Sequence, residues 1–178
     1  MKKIILISIF VFIASNIFAL NSISILGGIC TPVDEQEKRF FQNAPSAALE
    51  YSYIFENNIT ASANVSFFFQ SENQQKLLHE NYVIDFFSAG IGYRFSFNSF
   101  SIIPQIMIGY SIYYFYSYSF SSPDVMVDLV CYSAKVDFSY NITNQYKILF
   151  EPSILFYNYD TKKLFSPVRI LFGIGIDF

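Results

Sequence analysis

From Val168 to Phe178 the chain reads VRILFGIGIDF, a two-residue period held without a break. Val168, Ile170, Phe172, Ile174, Ile176 and Phe178 are apolar, and Arg169, Leu171, Gly173, Gly175 and Asp177 alternate with them. Successive side chains of a strand point to opposite faces, so this run is a strand with one apolar face and one largely small or polar face. A tilted strand needs about 9–11 residues to cross a hydrocarbon layer, and this stretch has that length. It reads as a membrane-spanning strand, and the rest of the chain must supply partners for both of its edges.

Composition points the same way. Charged residues make up 14% of the 178, against 53% hydrophobic and 20% aromatic, where an ordinary soluble domain is about 25% charged. After residue 19 no uncharged apolar run reaches the ~18 residues of a membrane helix, so alternation is the remaining way to carry this apolar content. The formal charge of −3 is of mixed sign and leaves no polybasic footprint, which argues against a nucleic-acid partner.

The first 19 residues have the form of a secretory leader: Lys2 and Lys3, an apolar run from Ile4 to Ile13, and a stretch from Ala14 to Ala19 with a small residue at its end. Cleavage is expected after Ala19, leaving residues 20–178 as a single domain. Cys30, preceded by Gly27, Gly28 and Ile29, does not resemble a lipobox.

Seven further alternating runs precede the last one: Asn21 to Cys30, Ser46 to Phe55, Ile59 to Gln70, Tyr82 to Phe95, Phe100 to Phe120, Met126 to Tyr140, and Gln145 to Tyr157. Short turns are expected at Glu56–Asn58, Ser96–Ser99 and Asn141–Asn144. They alternate with longer loops at 31–45, 71–81, 121–124 and 158–167. The expected fold is therefore all-β: a closed eight-stranded antiparallel up-and-down transmembrane barrel, with both termini and the short turns on one side. Closure is required because an open sheet edge in hydrocarbon leaves backbone groups unpaired at several kcal/mol each.

Side-chain size decides which face looks outward. An eight-stranded barrel has an interior just wide enough for side chains to fill. The Ile, Phe and Tyr of one parity are too many and too bulky for it, whereas the Ser, Gly and Thr of the other leave room for a few long polar groups. On that parity Glu50, Arg94, Lys135, Asp137, Lys147, Glu151, Arg169 and Asp177 all fall inside, four acidic and four basic. They are expected to form a network of lumen ion pairs, with no open channel. Asp85 and Asp128 fall on the lipid parity, which places them near the external rim or calls for a bulge.

The leader, the eight alternating strands, the aromatics flanking the short turns and the terminal Phe178 together resemble the small eight-stranded outer-membrane proteins of the OmpX, OmpW and OmpA-barrel types. The resemblance implies residence in the bacterial outer membrane with the loops facing outside. It also implies that Phe172, Ile174, Ile176 and Phe178 act as a C-terminal insertion signal for the barrel-assembly machinery, with outer-membrane lipid around the wall. No peptidoglycan-binding domain is expected after Phe178. The family includes surface adhesins, barrels that pass small or hydrophobic solutes, and lipid A modifying enzymes. No motif here selects among them, and the reading taken is a structural or surface-interaction role, with solute passage as the alternative.

Catalysis is not expected, nor a metal or cofactor. The single histidine, His79, stands in a polar loop beside Glu80, away from any strand. Cys30 and Cys131 fall on strands nearly opposite in the barrel, beyond the ~7 Å Cα limit for bridging, and are expected to be free thiols. The remaining candidate is the pair of overlong strands five and six. If they rise above the membrane, Tyr113, Tyr114, Tyr116, Tyr118 and Phe120 form an aromatic sheet whose free edge could capture a partner strand.

Overall fold

The computed structural model describes residues 20–33, 43–71, 80–117, 125–160 and 163–178. The leader, His79, Tyr118 and Phe120 lie outside the described residues. The described residues form ten strands: β1 (Leu20–Thr31), β2 (Ala44–Ile54), β3 (Ile59–Ser71), β4 (Glu80–Tyr93), β5 (Phe95–Phe97), β6 (Phe100–Ser117), β7 (Val125–Asn141), β8 (Tyr146–Asp160), β9 (Lys163–Phe165) and β10 (Val168–Asp177). β4 and β5 pair with β6 in one register, and β9 and β10 pair with β8 in another, so the ten segments make eight staves. Every pairing is antiparallel, and β1 pairs with β10 from Ser22↔Asp177 to Thr31↔Val168, which closes the barrel.

Closure is tight where β10 meets β1. A Cβ on Gly28 would collide with the Ile170 carbonyl, and one on Gly173 with the Ile25 carbonyl, so the two backbones approach as only glycine permits. At the short-turn end Asn21 and Phe178 exchange two backbone hydrogen bonds, at 3.0 and 2.9 Å, and hold the two ends of the sheet together.

The short turns are locally specified. Asn58, at φ 65°, and Asn98, at φ 53°, take the left-handed conformation that asparagine tolerates better than most residues. In the third turn Thr143 Oγ1 accepts from the amides of Gln145 and Tyr146 at 3.2 and 3.0 Å. The second turn is shorter than expected. Ser96 and Phe97 belong to β5, and only Asn98 and Ser99 make the reversal.

The last connection also differs from expectation. Residues 158–160 and 163–165, expected as loop, are strand, so β8 and β9 form a hairpin that continues the wall. Asp85 and Asp128 need no bulge, because the ladders run unbroken through both. Each pairs with Ile112, so the two lie at one level on either side of β6.

The wall has two gaps, each opposite a proline. The β4/β5–β6 ladder omits Tyr93 and Arg94 against Pro104 and Ile103, and the β7–β8 ladder omits Val136 and Asp137 against Pro152 and Glu151. Proline has no amide hydrogen to give to a ladder, which is why it is rare inside sheets. Both gaps border the β6–β7 hairpin.

Candidate functional site

The outward parity is apolar and exposed. Ile25, Ile91, Ile106, Phe172 and Ile174 are each more than 60% accessible on a wall with no protein against it. Around the short turns Tyr53 and Phe55 meet edge to face at 4.7 Å, as do Tyr93 and Phe95 at 5.0 Å. Phe100, Phe138, Phe150 and Phe172 form a run of ring contacts, at 6.3, 5.8 and 4.9 Å, across β6, β7, β8 and β10. Burying this surface in water-free surroundings is worth roughly 25 cal/mol per Å2 of apolar area, which is the force that would hold such a wall in a bilayer.

Inside, Lys135 of β7 is the centre. Its ammonium ion-pairs with Glu50 of β2, lies 3.1 Å from Glu151 of β8, and is 3.2 Å from Asp137. Glu151 in turn receives Arg169 Nη2 at 2.6 Å, while Arg169 Nε donates to Ser153 at 3.1 Å. Glu50 accepts from Ser52 at 3.0 Å and from the Asn64 amide at 3.2 Å, and Gln105 donates to Asp137 Oδ2. All five charged groups are at least 95% buried. A buried charge is tolerated only when paired and hydrogen-bonded, and this cluster supplies both.

Lys147 and Asp177 form a separate pair of 2.7 Å near the short-turn end. Arg94 belongs to neither group. It stands in the break between β4 and β5, its amide donates to the Asn58 carbonyl at 2.8 Å, and its side chain makes no ion pair among the described residues. The ladder rung beside it, opposite Pro104 and Ile103, is missing.

The long-loop half of the lumen is filled differently. Phe68, Phe86 and Leu155 are buried there, while Leu26, Ala48, Leu149 and Leu171 pack as a second apolar cluster beside Glu151, which pairs with Leu171 across the β8–β10 ladder. The expected lumen was polar throughout, so these residues correct that reading. A signal for two of them stands in the sequence: the doublets Phe67-Phe68 and Phe86-Phe87 cannot both face lipid on an alternating strand. Cys30 and Cys131 are both buried on the inward parity and are not joined in a disulfide.

At the long-loop end β7 extends beyond its neighbour. Its pairing with β8 starts at Cys131↔Tyr157, but its pairing with β6 continues to Phe115↔Val125. From Tyr157 upward β8 pairs with β9 on its other edge, the one it shares with β10 below. Carbonyls of even-numbered β6 residues, Pro104 and Ile106, point at β4, where they would meet a Cβ on Gly92 and Gly90. Alternation then directs odd-numbered β6 residues at β7, and the backbone groups of Met126, Asp128 and Val130 away from β6. Tyr113, Tyr114 and Tyr116 lie on the facing part of β6.

Solved structures share this closed, eight-staved, all-antiparallel architecture. Neisserial surface protein A superposes with a TM-score of 0.65 at 10% identity, over 90% of this chain and 96% of that one. The fold is that of the small outer-membrane barrels. A major outer membrane protein of Thermus thermophilus gives 0.63 at 9% identity, over 90% of this chain and 100% of that one. Ail, the attachment invasion locus protein of Yersinia pestis, gives 0.60 at 14% identity, over 90% and 99%. No family model and no curated relative matches the sequence.

Proposed function

We propose that the protein resides in the bacterial outer membrane as a closed, non-enzymatic barrel, delivered by its leader and the C-terminal strand, and acts by binding a partner at its long-loop end. The exposed apolar wall and the fold support the membrane part of this reading. The observation that carries the binding part is the β7 edge over 125–130, held to β6 on one side and lying beyond the end of the β7–β8 ladder at Cys131↔Tyr157 on the other. An extended segment can add to such an edge by main-chain hydrogen bonds, with specificity from neighbouring side chains. Ail, similar in fold, is by its name an attachment protein.

The test is surface binding by cells carrying the barrel. Asp128→Pro removes one edge donor while the β6–β7 ladder keeps its own bonds, and Tyr113, Tyr114 and Tyr116 to Ala remove the adjoining aromatics. Loss of partner binding with an unchanged heat-modifiable folded band supports edge capture. Binding that survives Asp128→Pro refutes it.

A further inference from the structure

The outer wall is not evenly filled. Ala134 of β7 stands between Ile106 of β6 and Ile154 of β8, so a single methyl group lies where both flanking staves carry larger side chains. Around it runs a shallow apolar groove of about 830 Å3, reaching from Tyr93 over Pro104 and Val136 to Pro152. A second hollow of about 650 Å3 shares Ile91, Ile106 and Ala134 with the first and continues toward Tyr132. The two make one furrow along the lipid parity of the wall.

One end of the furrow is polar. The Pro104 carbonyl points at β4, where it would meet a Cβ on Gly92, so the backbone of Pro104 faces that stave, with Tyr93 in the opposite position. Facing residues of this kind exchange two hydrogen bonds in an antiparallel ladder. Pro104 has no N–H to give, the rung is missing, and the Tyr93 carbonyl receives no ladder hydrogen from β6. A carbonyl left so against hydrocarbon is costly. The position adjoins the β2–β3 turn, because Tyr93 pairs with Ile59, the first residue of β3, and the Arg94 amide donates to the Asn58 carbonyl at 2.8 Å. Glu56, in that same turn, is exposed and is the only charged residue of the three short turns. An apolar furrow thus ends at a bare backbone acceptor, beside a turn that carries an anion.

We propose that this furrow binds one phospholipid of the leaflet on the short-turn side, and that it selects a primary-ammonium headgroup of the ethanolamine type. An acyl chain lies over Ala134, and the ammonium donates to the Tyr93 carbonyl. The inference rests on the membrane residence proposed above. A choline headgroup has the same charge but no N–H, so Glu56 attracts both headgroups alike and the Tyr93 carbonyl tells them apart. The Val136 carbonyl faces the other wall proline, Pro152, but lies two staves from that turn and takes no part in the selection.

The test folds the full-length barrel into bilayers of dioleoyl phosphatidylethanolamine and dioleoyl phosphatidylcholine in equal parts, extracts it into mild detergent, and counts bound lipid by native mass spectrometry. The expected result is one lipid per barrel, with ethanolamine favoured over choline roughly three- to tenfold, the worth of one hydrogen bond. Ala134→Phe fills the furrow and should lose the lipid. Pro104→Ala supplies the missing N–H to Tyr93 and should keep the lipid but bring the ratio to about one, whereas Pro152→Ala should leave the ratio unchanged. Where a variant does not fold, the wild type with N-methyl and N,N-dimethyl ethanolamine lipids answers the same question, because retention must fall as hydrogens are removed. Equal retention of the two lipids by the wild type overturns the proposal. So does a preference that survives Pro104→Ala or ignores N-methylation, or a lipid that stays on Ala134→Phe. Folding in pure phosphatidylcholine, read from the heat-modifiable band, checks the membrane reading separately, and a barrel that folds in neither lipid overturns both.

Discussion

Two levels of one lumen are closed by different chemistry. Around Lys135, five charged side chains from four staves hold one another through ion pairs and amide donors. Nearer the long loops, Phe68, Phe86 and Leu155 fill the same bore with apolar volume. The apolar level is tolerant in kind and demanding in volume, because a lost methylene leaves a hole whose neighbours relax only partly. The ionic level is the reverse. Its geometry accepts replacement of the whole set, but loss of one member strands a charge that water cannot reach.

The largest expected effect is therefore at the centre of the ionic level. Lys135→Met, which keeps the volume and leaves three carboxyls without their cation, should lower the free energy of unfolding by about 3–5 kcal/mol in denaturant titrations of the micelle-bound barrel. A cost below about 1 kcal/mol would erase the distinction between the levels. Leu155→Ala, fully buried at the apolar level, should cost about 3 kcal/mol in the same titration.

The smaller pair near the short turns sharpens the contrast. Lys147→Met alone should cost more than Lys147→Met combined with Asp177→Leu, and the double variant should stay within about 1 kcal/mol of the parent. Equal costs for the single and double variants would mean that Asp177 does not depend on Lys147. The least effect is expected in planar bilayers. The barrel should be electrically silent, and it should stay silent in Glu50→Gln and in Arg169→Gln, because the apolar level still fills the bore. Conductance steps in either variant would show that the ionic level alone bars the way.

Much of this was legible in the sequence through one property, the parity of side chains along each strand. Parity sends all the residues of the Lys135 cluster inward and the Ile, Phe and Tyr series outward, and the eight-stave fold follows from it with closure. The pairings within the lumen could not be read that way. Lys135 meets Glu50 across 85 positions of sequence, and such a meeting depends on how far each stave is staggered against the next. That stagger is a sum of cross-strand registers, and no local pattern encodes it. Arg94 shows the other limit. Its parity is that of the cluster, but Pro104 on the neighbouring stave breaks the ladder beside it. The 158–165 hairpin was obscured because Asn158, Asp160, Thr161, Lys162 and Lys163 are polar, and a stave outside hydrocarbon has no need of an apolar face.

The two proline gaps give the barrel a grain. Rungs are missing on both flanks of β6–β7, at Tyr93 opposite Pro104 and at Val136 opposite Pro152, while the β6–β7 ladder itself runs without interruption from Phe100↔Tyr140 to Phe115↔Val125. Pulled or heated, such a cylinder should tear first along those two lines and release the hairpin as one intact tongue, the same tongue that carries the exposed edge.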